Sequence, residues 1–355
     1  METVLVVPSL KISGGNREAL RLATDLIRAG QMASVLTMWS SPHAMHSSAP
    51  VEQLSGWLPR AAYAVVELPM LAYRFARWIA ARRRSTGKLA DAMVFTHYAT
   101  LPLALLVPRD RRFFFVQDLE WNFIGDGLAS QLLRRIVLAI YRTGRIISAN
   151  PYLTRSLSEE GLNIAVEAPI WADPSFGGPV DGARDIDFVM VLRKGPHKRL
   201  DLYLDFINRT VARGRLHVAV ITPEDDIATR VQDKVTECLL RPSVAEMQQL
   251  YGRSKCFIHL SEHEGFGLPP LEAMGSGCVP LCRNSGGVQA FMTGVLLTSL
   301  LLPRDISSDT FFKRAVDVIG DADALSRLRL EAKAVFDAGF GVCAKARCSL
   351  GRALA

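Results

Sequence analysis

Residues Ser261 to Gly287 read SEHEGFGLPPLEAMGSGCVPLCRNSGG, and the rest of the chain is organised around them. An apolar run, Cys256 to Leu260, comes first and reads as a buried parallel strand. A glycine-spaced loop follows, Glu264-Gly265-Phe266-Gly267, then a helix from about Pro269 to Gly275. Pro269 and Pro270 suit its first turn, where a missing N–H costs nothing, and Gly275 and Gly277 suit its end. A second apolar run, Cys278 to Cys282, is the next strand. The unit is strand, loop, helix, strand, and its loop opens at the carboxyl end of a strand, where open α/β sheets bind ligands.

Glu264 and Glu272 frame the loop with seven residues between them. The first precedes the helix, so its carboxylate reaches into the crevice; the second falls in the first helical turn and points back over it. A carboxylate accepts paired hydrogen bonds, which suits vicinal hydroxyls of a sugar or ribose. The N–H groups of Gly265, Phe266, Gly267 and Leu268, at the positive end of a helix, suit phosphate oxygens. For an isolated glycine loop, a surface loop with two solvated glutamates is the better account.

The complete string is more specific. Glu-Gly-Phe-Gly-Leu-Pro-x-Leu-Glu-Ala-Met-x-x-Gly, followed by Asn284-Ser285-Gly286-Gly287, resembles the donor-binding motif of glycosyltransferase family 4. The resemblance implies a retaining, nucleotide-sugar-dependent enzyme built from two Rossmann-like domains, the GT-B arrangement.

At 355 residues the chain is long for one domain, and two of about 170 residues are expected. Hydrophobic content of 49% and charged content of 22% belong to an ordinary globular protein. None of the six cysteines forms a CxxC pair, and several fall in expected core strands, so a reduced compartment fits better than a zinc site or disulfide framework. The opening METVLVVPSL has no cationic leader region and reads as a first strand. Net charge is +7, and residues 1–170 hold most of it, with 19 Lys+Arg against 13 Asp+Glu. That excess points to an anionic partner for the first half.

Thr3 to Pro8 reads as a buried strand, and Asn16 to Ala29 as a helix with Leu20, Ala23, Leu26 and Ile27 on one face. Between them lie Gly14 and Gly15, which match the family's glycine pair beside the donor pyrophosphate. Residues 43–59 read as a loop on the acceptor side, and His43 and His46, with no third ligand nearby, make a poor metal site. Pro69 to Lys88 is a helix with Leu71, Phe75, Trp78 and Ile79 on one side and Arg74, Arg77, Arg84 and Lys88 on the other. Such a helix suits an anionic membrane surface, or packing on its own domain with its arginines in water. Gln131 to Arg145 is a second arginine-rich helix. The first helix is too short and too charged to span a bilayer.

Two further strands end at His97-Tyr98 and at Gln117-Asp118-Leu119-Glu120, and both ends are expected to open on the interdomain cleft. Many family members place a histidine after the second strand, near the reacting sugar; this chain has Gln117-Asp118. The Val-Gln-Asp-x-Glu form looks like bacterial rhamnosyltransferase-like members. The polar partner at the reaction centre is therefore open. Asp118 is the first catalytic candidate, followed on the acceptor side by Glu120, His97 and Gln117, and each of these also suits a local turn or cap. Asn150 reads as the cap of the next helix, after the last strand of the first domain. The segment Ala168 to Pro174 resembles the crossing into the second domain, and residues up to Gly182 read as linker.

The second domain opens with a strand, Asp187 to Leu192, and the run Arg193-Lys194-Gly195-Pro196-His197-Lys198-Arg199. The resemblance implies that an arginine and a lysine five apart neutralise the donor diphosphate, and Arg193 and Lys198 have that spacing. Two fixed cations stabilise charge on a departing nucleoside diphosphate. Gly294 to Leu297 resembles a final strand, Asp309 to Ile319 and Asp323 to Ala338 read as helices, and Gln289 stands where many members have a glutamate.

The expectation is two doubly wound α/β domains facing across a cleft, residues 1–170 for the acceptor and 171–340 for the nucleotide sugar, with a tail over 341–355 packing back on the first. Glu272 would hold ribose hydroxyls, Glu264 and the Gly265–Leu268 amides the sugar, Arg193 and Lys198 the diphosphate. The implied reaction is hexosyl transfer by front-face attack with retention, with no metal and no cofactor. The acceptor would be a saccharide or lipid-linked, in bacterial surface polysaccharide assembly in the cytoplasm or at the inner face of its membrane. Two alternatives share the fold: a non-catalytic nucleotide-sugar-binding subunit, which Gln117-Asp118 would suit, and a nucleotide-sugar epimerase. Nucleic-acid binding is disfavoured, because the basic helices lack interleaved stacking aromatics.

Overall fold

Two parallel sheets carry the chain, each with its own topological switch point. The computed structural model describes residues 1–10, 14–40, 45–55, 68–124, 127–178 and 182–354, the side chains of 55, 123–124 and 340–354 excepted. His43, most of the expected linker tip and the side chains of the tail lie outside the described residues. The chain divides into one unit made of Met1–Glu120, Gln131–Ile170 and Ala344–Ala355, and another made of Trp121–Ser130 and Trp171–Cys343.

In the first unit β1 (Glu2–Val7), β2 (Met32–Trp39), β3 (Val51–Ser55), β4 (Ala92–Phe95), β5 (Arg112–Val116), β6 (Arg145–Ser148) and β7 (Ile164–Glu167) lie in the order β3-β2-β1-β4-β5-β6-β7. Val4 to Val7, Met93 to Phe95 and Phe113 to Val116 are almost fully buried, as strands covered on both faces require. Helix α1 (Gly14–Arg28) buries Ala19, Leu20, Leu22, Ala23 and Leu26. Ile27, expected on that face, is 37% exposed because it falls at the margin of the buried arc. Helix α2 (Leu68–Thr86) buries Leu71, Phe75 and Ile79, and Trp78 stacks on Phe75 while donating to Glu52 at 2.6 Å.

Strands β3 and β7 correct the sequence reading, which ran a loop through residues 51–55 and closed the domain at β6. Both are edge strands, and an edge strand with one wet face lacks the continuous apolar run of a central one. Short helix α3 (Leu101–Ala104) and helix α4 (Leu128–Tyr141) follow β4 and β5 in the chain. Helix α5 (Pro151–Glu159) starts as expected, with the Asn150 side chain accepting from the Leu153 N–H at 3.0 Å.

In the second unit β8 (Ile186–Val191), β9 (Val218–Thr222), β10 (Glu237–Leu240), β11 (Ser254–His259), β12 (Val279–Arg283) and β13 (Leu301–Leu302) lie in the order β10-β9-β8-β11-β12-β13. Helices α6 (Leu200–Arg213), α7 (Asp225–Val231), α8 (Val244–Arg253), α9 (Leu268–Gly275), α10 (Gly294–Leu300) and α11 (Ser308–Gly320) connect and flank them. The expected final strand at Gly294 to Leu297 is helix α10 instead. Its Leu296 and Leu300 are buried and Val295 and Leu297 exposed, a spacing of four that buries one helical stripe, and the strand follows at Leu301. The last helix, α12 (Ala322–Leu354), runs on past Ala338, where a separate tail was expected.

Candidate functional site

Strands β8 and β11 are neighbours, and the chain leaves them in opposite directions across the sheet. Loops at the carboxyl ends of such a pair border the ligand crevice of an open α/β sheet. Arg193, Gly195 and Lys198 follow β8, and the Glu264 loop follows β11. The structure brings Lys198 and Glu264 together: Nζ donates to Oε1 at 2.8 Å and to Oε2 at 2.9 Å. The Glu262 N–H donates to the His197 carbonyl at 2.8 Å and ties the two loops beside that pair.

A third loop, after β12, supports the second. The Glu264 N–H donates to the Ser285 carbonyl and the Gly287 N–H to the Glu264 carbonyl, each at 2.9 Å. The approach is so close that a Cβ on Gly287 would lie 2.4 Å from the Gly265 carbonyl carbon and the Phe266 nitrogen. Gly267 holds φ 91°, and a Cβ there would meet Val288 at 2.8 Å. Both glycines are therefore set by backbone geometry. The Phe266 side chain packs between Trp171 and Phe291, so this residue offers the crevice only its amide.

Helix α9 starts at Leu268, which puts Glu272 in its second turn, one turn later than the sequence reading, and Glu272 is 5% exposed. Pro269 and Pro270 carry no N–H, so the donors at this end are the amides of the loop itself. Arg193 is exposed. Its charge and that of Glu272 both act on the buried Tyr251 hydroxyl, whose pKa is raised by burial first and by Glu272 second.

Burial works against ionisation of Glu264, but the Lys198 charge and hydrogen bonds from Lys198 and Ser261 outweigh it and hold the carboxyl at about 2. His197 and His259 stay neutral at physiological pH, pushed down to about 4 by burial and then by Lys198. His259 Nε2 lies 3.1 Å from the Ser285 hydroxyl, beneath the loop that carries Glu264. On α6, Tyr203 Oη accepts from the Leu260 N–H at 2.8 Å and fixes the end of β11. Sequence reasoning missed His259, Ser285 and Tyr203; Ser285 stood inside the quoted Asn-Ser-Gly-Gly, whereas His259 and Tyr203 carried no motif.

The first unit has its own carboxyl-end cluster. Gly14 and Gly15, read as a turn before a helix, are the first two residues of α1, and Gln117 Oε1 lies against Gly15. Glu120 Oε2 accepts from the Tyr98 N–H at 2.8 Å, and His97 Nε2 lies 3.7 Å from Glu120 Oε1. His97 Nδ1 accepts from the Ala99 N–H at 3.1 Å, so in the neutral ring the proton sits on Nε2 and faces Glu120. Burial, with Asp118 adding to it, raises the Glu120 pKa well above that of an ordinary carboxyl. Asp118 Oδ1 accepts from the Leu119 N–H at 2.8 Å.

On α2, Arg77, Arg83 and Arg84 are exposed with no carboxylate partner among the described residues, whereas Arg82 pairs with Glu2 and Glu52, and Arg74 donates to the Leu54 carbonyl. Among the described residues no helix is long and apolar enough to cross a membrane. Nor do three or more His, Cys, Asp or Glu side chains of those residues gather as metal ligands would; His46 is exposed.

Residues 185–294 match the family model described as Glycosyl transferases group 1. Over 96 residues the chain is 31% identical to the O-antigen chain mannosyltransferase RfbU of Salmonella typhimurium, covering 25% of this chain and 27% of that one. The chain spans between 11 and 27% of the length of the curated relatives it matches. Likeness to solved structures extends much further. Sucrose-phosphate synthase from Thermosynechococcus elongatus superposes with a TM-score of 0.75 at 15% identity, over 95% of this chain and 94% of that one. HepE of Anabaena, solved in complex with UDP-glucose, does so with a TM-score of 0.71 at 14% identity, over 99 and 100%. At these identities the likeness establishes the fold, which is α/β and of GT-B type.

Proposed function

We propose that this chain is a glycosyltransferase that moves a sugar from a nucleotide-diphosphate donor to a saccharide or lipid-linked acceptor in surface polysaccharide assembly. The observation that carries the reading is the Lys198–Glu264 pair at the β8/β11 switch point, inside the segment that matches the group 1 transferase model. The mannosyltransferase name of one relative and the UDP-glucose held by another support a nucleotide-sugar donor.

The chemistry follows from the donor and acceptor atoms available. An ammonium has three donors; Glu264 takes two, and the third is left for a phosphate oxygen. Glu264, ionised and fixed, keeps lone pairs for sugar hydroxyls. Arg193, exposed just after β8, would add a bidentate fork for the diphosphate. With the donor so held, an acceptor hydroxyl attacks the anomeric carbon as its bond to the phosphate oxygen breaks. The hydroxyl proton passes to that departing oxygen, both events on one face, so configuration is retained. No metal is assigned a part in these steps. The resemblance to glycosyltransferase family 4 and its rhamnosyltransferase-like members stands behind the retention. The first unit would bind the acceptor through Gln117, Asp118, His97 and Glu120. The exposed arginines on α2, Arg77, Arg83 and Arg84, support peripheral contact with an anionic membrane face, and so a place at the inner face of the cell membrane.

Thermal-shift screening against UDP-, GDP- and dTDP-sugars tests the donor site, because a ligand that binds the native state raises its melting temperature. The best donor is expected to lose its shift in Glu272→Ala and in Arg193→Ala, the latter an exposed change that leaves the core intact. A shift unaltered in both variants rejects the assignment. Turnover with an acceptor separates transfer from binding alone, and conversion of donor without acceptor marks an epimerase.

A further inference from the structure

Beside the Glu264 loop, three arginines gather on the carboxyl edge of the second sheet. Arg283 ends β12, Arg304 follows β13, which pairs with β12 in the register Arg283↔Leu302, and Arg199 follows β8. Arg283 is only 8% exposed, yet its single hydrogen bond among the described residues runs from Nε to the Arg304 carbonyl. Its Nη1 is enclosed and has no partner there. Arg304 is exposed and donates only through Nε, to the Asn284 carbonyl at 3.4 Å. Among the described residues neither guanidinium meets a carboxylate.

Arg199 contrasts with both. It holds φ 50°, a left-handed conformation that non-glycine residues avoid, and its guanidinium is committed to Asp201 at 3.0 and 2.7 Å and to Glu262 at 3.7 Å. Three arginines against two acids leave the cluster with one positive charge in excess. Burial, then Arg199 and Arg304, act against the charge on Arg283, and Glu262 and Asp201 offset part of this. A buried guanidinium whose fork is unmatched is costly, and an anion that offers two oxygens side by side, a carboxylate or a phosphate group, matches it. The loop after Arg283, Asn284 to Gly287, is the one that braces Glu264.

We propose that Arg283 and Arg304 form an anion subsite beside the Glu264 loop that takes a carboxylate or phosphate group carried by one of the sugar substrates. The proposal rests on the reading of that loop as sugar-binding, and it makes the protein selective for acidic sugars.

Binding of glucuronate and of glucose to the full chain, at matched ionic strength and followed by saturation-transfer NMR, tests it. Glucuronate is expected to bind about tenfold more tightly than glucose, the gain of roughly one charge-assisted pair. Arg304→Gln, an exposed change, should abolish the preference, and Arg193→Gln should keep it. UDP-glucuronate against UDP-glucose then gives the source. The same Arg304-dependent factor puts the anion on the donor; a gain for the free acid alone puts it on the acceptor. Equal binding of the two free sugars overturns the subsite, as does a preference that survives Arg304→Gln or follows Arg193. Nucleotide sugars whose Glu272-dependent shift persists in that event leave the donor site standing, so the two readings fail separately.

Discussion

Neutralising Glu264 while keeping its shape, as Glu264→Gln does, should change the pH dependence of stability more than stability at acid pH. The folded protein holds this carboxyl at about 2, against an ordinary 4.5. A group whose folded pKa is depressed releases its proton more readily when folded, so it contributes stability above 4.5 and loses it as pH falls towards 2. The shift corresponds to about 3 kcal/mol at pH 7, of which about 2 kcal/mol is gone by pH 3. With side-chain exposures of 23 and 14%, Lys198 and Glu264 are shielded enough that solvent does not erase the term. His197 and His259 add a separate slope of the same sign: held near 4 when folded, they bind protons more readily when unfolded, and stability drops as pH falls from 6.5 to 4.

Urea unfolding of wild type and Glu264→Gln between pH 7 and pH 3 isolates the carboxyl, since the histidines are common to both. The variant should lose about 2 kcal/mol less than wild type between pH 5 and pH 3. Lys198→Met alone should cost about 3 kcal/mol at pH 7 by stranding a buried carboxylate, and adding Glu264→Gln should restore most of it. Parallel pH curves for wild type and Glu264→Gln would show that the pair is not formed as described, and the donor-site argument would lose its anchor.

Gly287→Ala forces a methyl carbon to 2.4 Å from backbone atoms that cannot turn aside, and should cost about 3 kcal/mol of second-unit stability by denaturation while weakening nucleotide-sugar binding. Near-wild-type values for both would mean the two loops are not pressed together. Glu120→Gln keeps an oxygen for the Tyr98 N–H and removes a charge that burial opposes. A raised folded pKa makes an acid lose stability as pH rises above its ordinary value, so the variant should be at least as stable as wild type at pH 8. A clear loss of stability there would mean that Glu120 is ionised and paired.

What the sequence disclosed and what it hid divide along a physical line. Central strands such as Val4 to Val7 and Phe257 to His259 are buried on both faces, so their composition alone marks them, and the glycine loop after β11 announces its own turn and helix. Edge strands β3 and β10 carry Glu52, Gln53 and Glu237 because one face is wet, and local pattern does not distinguish them from loop. The same locality limits the site. Arg193, Lys198, Glu264 and Glu272 were singled out only through their spacing in a resembled motif. That Lys198 grips Glu264 across 66 positions depends on β8 lying beside β11, a fact of sheet order that no short window contains. Arg283 and Arg304 were passed over for the same reason. An arginine at a strand end reads as a solvated charge until the neighbouring strand is known, and only then does the missing carboxylate become visible. The residues hardest to read are thus those whose partners arrive from another strand's end, and in an open α/β sheet that is where binding sites are assembled.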